Sequence, residues 1–226
     1  MIPLLETVDA VLFDLDGTLV ETNIDFPLMK RRVLDLAAEH GIKTDSLLSL
    51  DILAIVENAC GLLTSSGLHD SAAELRARAM SALEEIELRH ARDTREIPFA
   101  RELVCRLRAE GMKIGVVTRN CRAASETSLR IAGISPDVLI CREDSTRHKP
   151  HPDPLLAALD ALGARPHASI MVGDHTMDIE AGRAAGLKTI ALLWERHPHD
   201  FFDDARPDRI ACDLSEVLGA IIRCDS

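Results

Sequence analysis

Tyrosine is absent from this chain, and Trp194 is its single tryptophan. Aromatic platforms that stack the bases of single-stranded nucleic acid are therefore excluded as a main binding device. Positive charge is also short: 26 Lys and Arg stand against 37 Asp and Glu, for a net charge of −11. That balance disfavours non-specific binding to nucleic acid or to an anionic membrane surface. It leaves room for one anionic substrate, because a few local cations suffice to hold a phosphate. No apolar run approaches the roughly 20 residues needed to cross a bilayer. Met1–Glu6 has no basic region ahead of its apolar residues, so no signal peptide is expected and the predicted location is the cytoplasm. The six cysteines include no Cys-x-x-Cys pair, which argues against a zinc site and a disulfide framework. Most are expected to be reduced core residues, with Cys224 exposed. There is no G-x-x-x-x-G-K-[ST] cradle, so an NTP-driven motor is not indicated.

What is present fits a soluble globular protein: 46% of the 226 residues are hydrophobic and 28% charged. That length suits one large domain, or a core domain with a small one attached. The apolar run from Ala10 to Phe13 reads as a buried strand, and it runs into Asp14-Leu15-Asp16-Gly17-Thr18. Two carboxylates one residue apart repel each other unless a cation or a shared proton intervenes.

Beyond Val20 the period changes to that of helices. Phe26, Met29, Val33, Leu36 and Ala37 define one helix, stopped by Gly41. A second is predicted over Leu47–Ala59, capped by Asp45 or Ser46 and followed by Gly61. A third opens at Asp70 or Ser71 and continues to about His90. After a helix from Pro98 to Glu110, strands and helices alternate. Strands are predicted at Ile114–Val117, Asp137–Cys141, Ser169–Val172, Thr189–Leu193 and Arg209–Cys212. Helices are predicted at Cys121–Ala132, Pro154–Leu162, Thr176–Ala185 and Ser215–Arg223. That alternation predicts an α/β fold, a doubly wound parallel sheet with right-handed crossovers. Residues 1–20 and 95–226 form the predicted core, and 21–94 an inserted all-helical subdomain. Its boundaries, near Val20 and Arg95, are the hinge candidates.

In such a sheet, ligands bind beyond the carboxyl ends of the strands. Asp14 and Asp16 fall there after the first strand, and Thr118-Arg119-Asn120 after Ile114–Val117. His148-Lys149-Pro150 and Gly173-Asp174-His175-Thr176-Met177-Asp178 follow two others. Acids, a hydroxyl and an ammonium converging on one edge suit phosphoryl transfer. Asp14 and Asp174 have the hard oxygen atoms that Mg²⁺ prefers, and Lys149 has a charge to neutralise phosphoryl oxygens. A carboxylate can also serve as nucleophile, with a second acid shuttling the proton.

Asp14-Leu15-Asp16-Gly17-Thr18, Thr118, Lys149-Pro150 and Gly173-Asp174-x-x-x-Asp178, in that order over nearly the whole chain, resemble the haloacid dehalogenase superfamily. The resemblance implies a Rossmann-like core and a nucleophile at Asp14. It implies a general acid/base at Asp16, whose backbone carbonyl also meets Mg²⁺. Thr118 and Lys149 would hold the phosphoryl group, with Arg119 and Asn120 beside it. Asp174 would ligate Mg²⁺, and Asp178 would ligate it through water or brace the site. The insert resembles the helical cap of the phosphoglycolate phosphatase-like branch. The superfamily's dehalogenases lack the second acid of the first motif, and Asp16 is present here, which favours phosphate chemistry.

The expected activity is thus Mg²⁺-dependent hydrolysis of a small phosphorylated metabolite through an aspartyl-phosphate, with a phosphoglycolate-type substrate as the first choice. A sugar-phosphate phosphomutase and a catalytically weak phosphometabolite-binding regulator are the alternatives. The chain is expected to act as a monomer or homodimer.

Other polar residues have blander readings. Arg119 either adds a cation near the phosphate or points to solvent. His148, His151 and His175 are read as solvated or supporting groups, since the acids already suit a hard cation. Within Lys30-Arg31-Arg32, helical spacing allows one substrate contact, at Lys30 or Arg31. Thr22 and Asn23 are further leaving-group candidates. Asp200–Asp204 reads as a loop anchored by Phe201 and Phe202.

Overall fold

The structure is a computed structural model that describes residues 7–222. The expectations for Met1–Glu6, Arg223 and Cys224 lie outside those residues. The chain divides into two compact units, Met1–Thr22 with Ala91–Ser226, and Asn23–His90.

The first unit is built on β1 (Ala10–Phe13). A short β2 follows at Val20–Glu21. The second unit then supplies α1 (Phe26–Glu39), α2 (Ile52–Ser65) and α3 (His69–Ala91). The chain continues through β3 (Arg95–Glu96), α4 (Ala100–Ala109), β4 (Lys113–Val117), α5 (Arg122–Ala132) and β5 (Val138–Ile140). It ends with α6 (Asp153–Leu162), β6 (Ser169–Gly173), α7 (Thr176–Ala184), β7 (Lys188–Leu192), β8 (Arg209–Ala211) and α8 (Leu214–Ile221).

Six strands form one parallel sheet in the order β5-β4-β1-β6-β7-β8. β1 lies at its middle, with Phe13 opposite Val116 on one side and Val172 on the other. Alternation along the strands serves both faces. Val11, Phe13, Val116, Ile170 and Val172 pack with Leu103, Leu107 and Val217 from α4 and α8. Ala10, Leu12, Val117 and Met171 pack with Leu155 and Leu159 from α6. Burial on both faces explains why these strands read as continuous apolar runs. Each large side chain withdrawn from water contributes about 1.5–3 kcal/mol.

The predicted hinge positions are paired. β2 and β3 form an antiparallel ribbon that sets Val20 opposite Glu96 and Glu21 opposite Arg95. Strands of two residues carry no readable period, so the sequence showed only a boundary there.

The helical unit has its own core. Met29 and Val33 of α1, Val56 and Cys60 of α2, and Leu75, Ala79 and Leu83 of α3 pack together. One boundary is corrected here. Leu47 belongs to a 3₁₀ turn, Asp45–Leu47, and α2 starts later. Its cap is Asp51, whose carboxylate accepts from the backbone of Leu53 and Ala54 at 3.1 and 3.2 Å. Gly61 lies inside α2 and does not end it.

Phe202 is buried with Ile179, Ala191 and Ala205, and Phe201 packs against that cluster, so the acidic loop is anchored as expected. The described cysteines are free. Cys60, Cys121 and Cys141 are buried, whereas Cys105 and Cys212 are exposed. Among the described residues, no helix is long and apolar enough to cross a membrane.

Candidate active site

The site lies at the carboxyl edge of the parallel sheet and is built from the first unit. Asp14 follows β1 directly, its backbone N–H donating to the Val172 carbonyl at 2.9 Å. The chain then turns sharply: the N–H groups of Leu19 and Val20 both return to the Leu15 carbonyl, at 2.9 and 3.0 Å. Gly17 makes this turn possible with φ +81°, and a Cβ there would collide with the Asp174 carboxylate.

Lys149 is the hub. Its side chain is buried, and Nζ reaches Asp14 Oδ1 at 2.5 Å, Asp178 Oδ1 at 2.7 Å and the Val117 carbonyl at 2.7 Å. The ammonium thus meets two carboxylates and the last carbonyl of β4. Burial works against its charge, but Asp14 and Asp178 outweigh that and hold its pKa above the ordinary lysine value.

Asp178 is fixed by the start of α7. Its carboxylate accepts from the His175 N–H at 3.1 Å, while His175 Nδ1 accepts from the Met177 N–H at 3.2 Å. This reciprocal cap satisfies helix-end donors and leaves the other Asp178 oxygen for Lys149. Asp174 sits just before it and accepts from Arg196 Nη2 at 2.7 Å.

Asp14, Asp174 and Asp178 present oxygen atoms that lie within 4.8 Å of one another. Burial pushes Asp14 well above the usual carboxylate range, with Asp178 and Asp174 adding to the effect and Lys149 opposing it. Burial likewise raises Asp174 to about 7, with Asp178 adding and Arg196 opposing. A buried all-oxygen set of three acids, held by one ammonium and one guanidinium, fits a hard divalent cation such as Mg²⁺. The carboxylate of Asp16 is outside this set. It is held by the hydroxyl of Thr22 and the amide of Asn120.

Thr118 is buried beside these groups. Its N–H donates to the Ile140 carbonyl at 2.9 Å, and its hydroxyl oxygen accepts from the Asn120 N–H at 3.2 Å. Arg119 is half-buried, its Nη1 lying 2.8 Å from Met177 Sδ. Among the described residues no histidine joins the acid cluster. His175 is the helix cap just described, and His151 Nδ1 accepts from the Asp153 N–H at 3.2 Å.

Four residues make contacts that the sequence did not indicate. Thr22, grouped there with leaving-group contacts, is buried and bonded to Asp16. Lys30 donates to the Leu48 carbonyl at 2.6 Å, inside the helical unit. Trp194 and Arg196 went unassigned: Trp194 Nε1 donates to the Gly17 carbonyl at 2.7 Å, and Arg196 pairs with Asp174. Both follow β7, whose carboxyl end shares the edge of the other motifs. That position was the available signal.

A family model for haloacid dehalogenase-like hydrolases matches residues 11–192. The pyrophosphatase PpaX of Bacillus mycoides (strain KBAB4) is 30% identical, with 96% of this chain and 98% of that protein covered. A solved structure from Bacteroides fragilis, described as a haloacid dehalogenase-like hydrolase, superposes with a TM-score of 0.68. It is 25% identical and covers 93% of this chain and 99% of its own. A β-phosphoglucomutase from Clostridium difficile shares the fold at TM-score 0.60 and 19% identity, with 93% of both chains covered.

Proposed function

Because the chain belongs to the haloacid dehalogenase-like hydrolase family, we propose that it is a Mg²⁺-dependent phosphohydrolase that carries the phosphoryl group on Asp14. The observation that supports this most is Lys149 Nζ set between Asp14 and Asp178, with Asp174 completing the acid cluster. A phosphoryl group attacked by Asp14 then has the Lys149 ammonium beside it to offset charge on its equatorial oxygens.

An oxygen of Asp14 attacks phosphorus, and the bond from phosphorus to the leaving oxygen breaks. Asp16 gives that oxygen its proton. Asp16 then takes a proton from water, the water oxygen attacks phosphorus, and the Asp14 carboxylate is restored as phosphate departs. Thr22 and Asn120 hold Asp16 in one orientation for both transfers. Thr118 and Lys149 position the phosphoryl group. Asp14, Asp174 and Asp178 would hold Mg²⁺, together with the Asp16 carbonyl. When bound, the ion supplies positive charge against the transferring phosphoryl oxygens and against the three acids.

The substrate class is a small phosphate compound. 2-Phosphoglycolate is the first choice from the resemblance of the helical insert to the cap of the phosphoglycolate phosphatase-like branch, and pyrophosphate joins it from the name of the Bacillus mycoides relative. Both have a leaving group that is itself an anion. Substrate selection is assigned to contacts with the leaving group, because the transferred phosphoryl group is the same in every ester. A regulator that only binds would need no paired Asp14 and Asp16.

The test is phosphate release with Mg²⁺ across a panel holding pyrophosphate, 2-phosphoglycolate and sugar phosphates. Release of inorganic phosphate from a small anionic member supports the reading. Conversion of a sugar phosphate to its isomer without release would establish the mutase instead.

A further inference from the structure

Arg196 does something that neither the motifs nor the family resemblance assigns. Asp14 and Asp178 are both committed to Lys149, and Asp178 also to the backbone of His175. Among the described residues, Asp174 accepts from one group only, the Arg196 guanidinium at 2.7 Å. The two partners are unequal: the Asp174 side chain is 12% exposed and that of Arg196 is 54% exposed. The acid is therefore fixed and the cation is free to leave. The loop that carries Arg196 is tied to the first motif at its base, where Trp194 Nε1 donates to the Gly17 carbonyl at 2.7 Å. The guanidinium carbon lies 5.9 Å from the centre of the Trp194 ring.

We propose that Arg196 is a positioning residue that stands in for the divalent cation at Asp174 and withdraws when the cation binds. This rests on the reading of Asp174 as a metal ligand. A guanidinium and a divalent ion on one carboxylate repel strongly at such separations, so the two states exclude each other. The stand-in keeps a buried acid compensated in the metal-free chain. Its consequence is a weaker cation site, since binding must first break a charge-assisted hydrogen bond.

Trp194 is the chain's single tryptophan, so its emission reports on this loop alone. Mg²⁺ is titrated into the full chain without substrate, and both heat and Trp194 emission are followed. The parent is compared with Arg196→Gln, Arg196→Lys and Arg165→Gln, the last at an exposed arginine paired with Asp9 ahead of β1. Arg196→Gln is expected to bind Mg²⁺ about three- to tenfold more tightly than the parent, a range that allows for the solvent exposure of the guanidinium. Its emission should change little on binding, whereas the parent's changes clearly. Arg196→Lys keeps the charge without the planar fork and should fall between. Arg165→Gln should leave the affinity near the parent value.

Equal affinities of parent and Arg196→Gln overturn the proposal, as does an emission change of equal size in both. Equal tightening in Arg165→Gln also overturns it, because the effect is then one of overall charge. If the parent binds no Mg²⁺ at all, the metal assignment of Asp174 fails and the stand-in fails with it. If it binds Mg²⁺ but Arg196→Gln behaves as the parent does, only the stand-in fails.

Discussion

The backbone of Gly17 lies flush against the carboxylate of Asp174, closely enough that a Cβ at position 17 would overlap it. One residue belongs to the turn after β1 and the other to the end of β6. Their contact ties the position of the first acid pair to that of the third acid. Gly17→Ala is therefore expected to cost more in activity than in stability. The positive φ strains an alanine by about 1–2 kcal/mol. The displaced Asp174 should lower kcat/KM by roughly a hundredfold or more. Thermal melts and phosphate-release kinetics on the same sample check both halves. A variant with parental kcat/KM would show that the close approach has no bearing on the chemistry.

Lys149 separates two acids that would otherwise face each other in a buried place. Lys149→Met removes the ammonium at similar length, and leaving buried charges unpaired costs about 3–5 kcal/mol. Lys149→Arg keeps charge but replaces a compact ammonium by a broad planar fork. Both should lose activity by roughly two or more orders of magnitude, the charge-conserving variant included. Near-parental turnover in Lys149→Arg would reduce Lys149 to a structural counter-ion.

Thr22 offers a finer test. Its hydroxyl bonds to Asp16, not to the acid cluster. Thr22→Val keeps the shape and removes that bond. Proton transfer should suffer, so kcat should drop by about tenfold or more, while KM and Mg²⁺ affinity change little. An effect confined to KM would place Thr22 with the substrate, as its sequence position first suggested.

The raised pKa of Asp174 gives a pH dependence with a definite sign. In the metal-free chain burial holds this carboxyl neutral up to about 7, above its value when unfolded. The folded state thus binds more protons than the unfolded state across that interval. The contribution of Asp174 to the stability of the metal-free chain should be greatest below the ordinary carboxylate value and be lost as pH rises through about 7. Mg²⁺ binding must expel the proton, so affinity should rise with pH up to about 7 and level off above it. Calorimetry in buffers of different ionisation heat counts the protons released. Affinity independent of pH between mildly acidic and neutral conditions would contradict the assignment.

Much of this was legible from the chain. β1 was readable because burial on both faces makes a short apolar run, and the acids that follow it mark its carboxyl end. Lys149 and Asp178 were readable as motif members, but their contact was not: it depends on the cap at His175 turning Asp178 back toward β4. Asp51 does not stand out as a cap over Asp45 or Ser46, because Asp45, Ser46, Ser49 and Asp51 all precede one apolar run. The β2–β3 ribbon was invisible because two residues carry no period. Thr22 meets Asp16 across the turn after β1, and Arg196 meets Asp174 across α7 and β7; a single chain holds no signal for such pairings beyond the end of β7.

The most direct test of the central claim is to stop turnover with acid and locate the phosphoryl group. With Mg²⁺ and a substrate from the panel, label should appear on the peptide containing Asp14, as an acyl phosphate cleaved by hydroxylamine. It should decay as phosphate is released and be absent from Asp14→Asn, whose turnover should fall by roughly several orders of magnitude. Label on another residue, or an Asp14→Asn variant retaining more than about a tenth of the rate, would contradict covalent catalysis by Asp14.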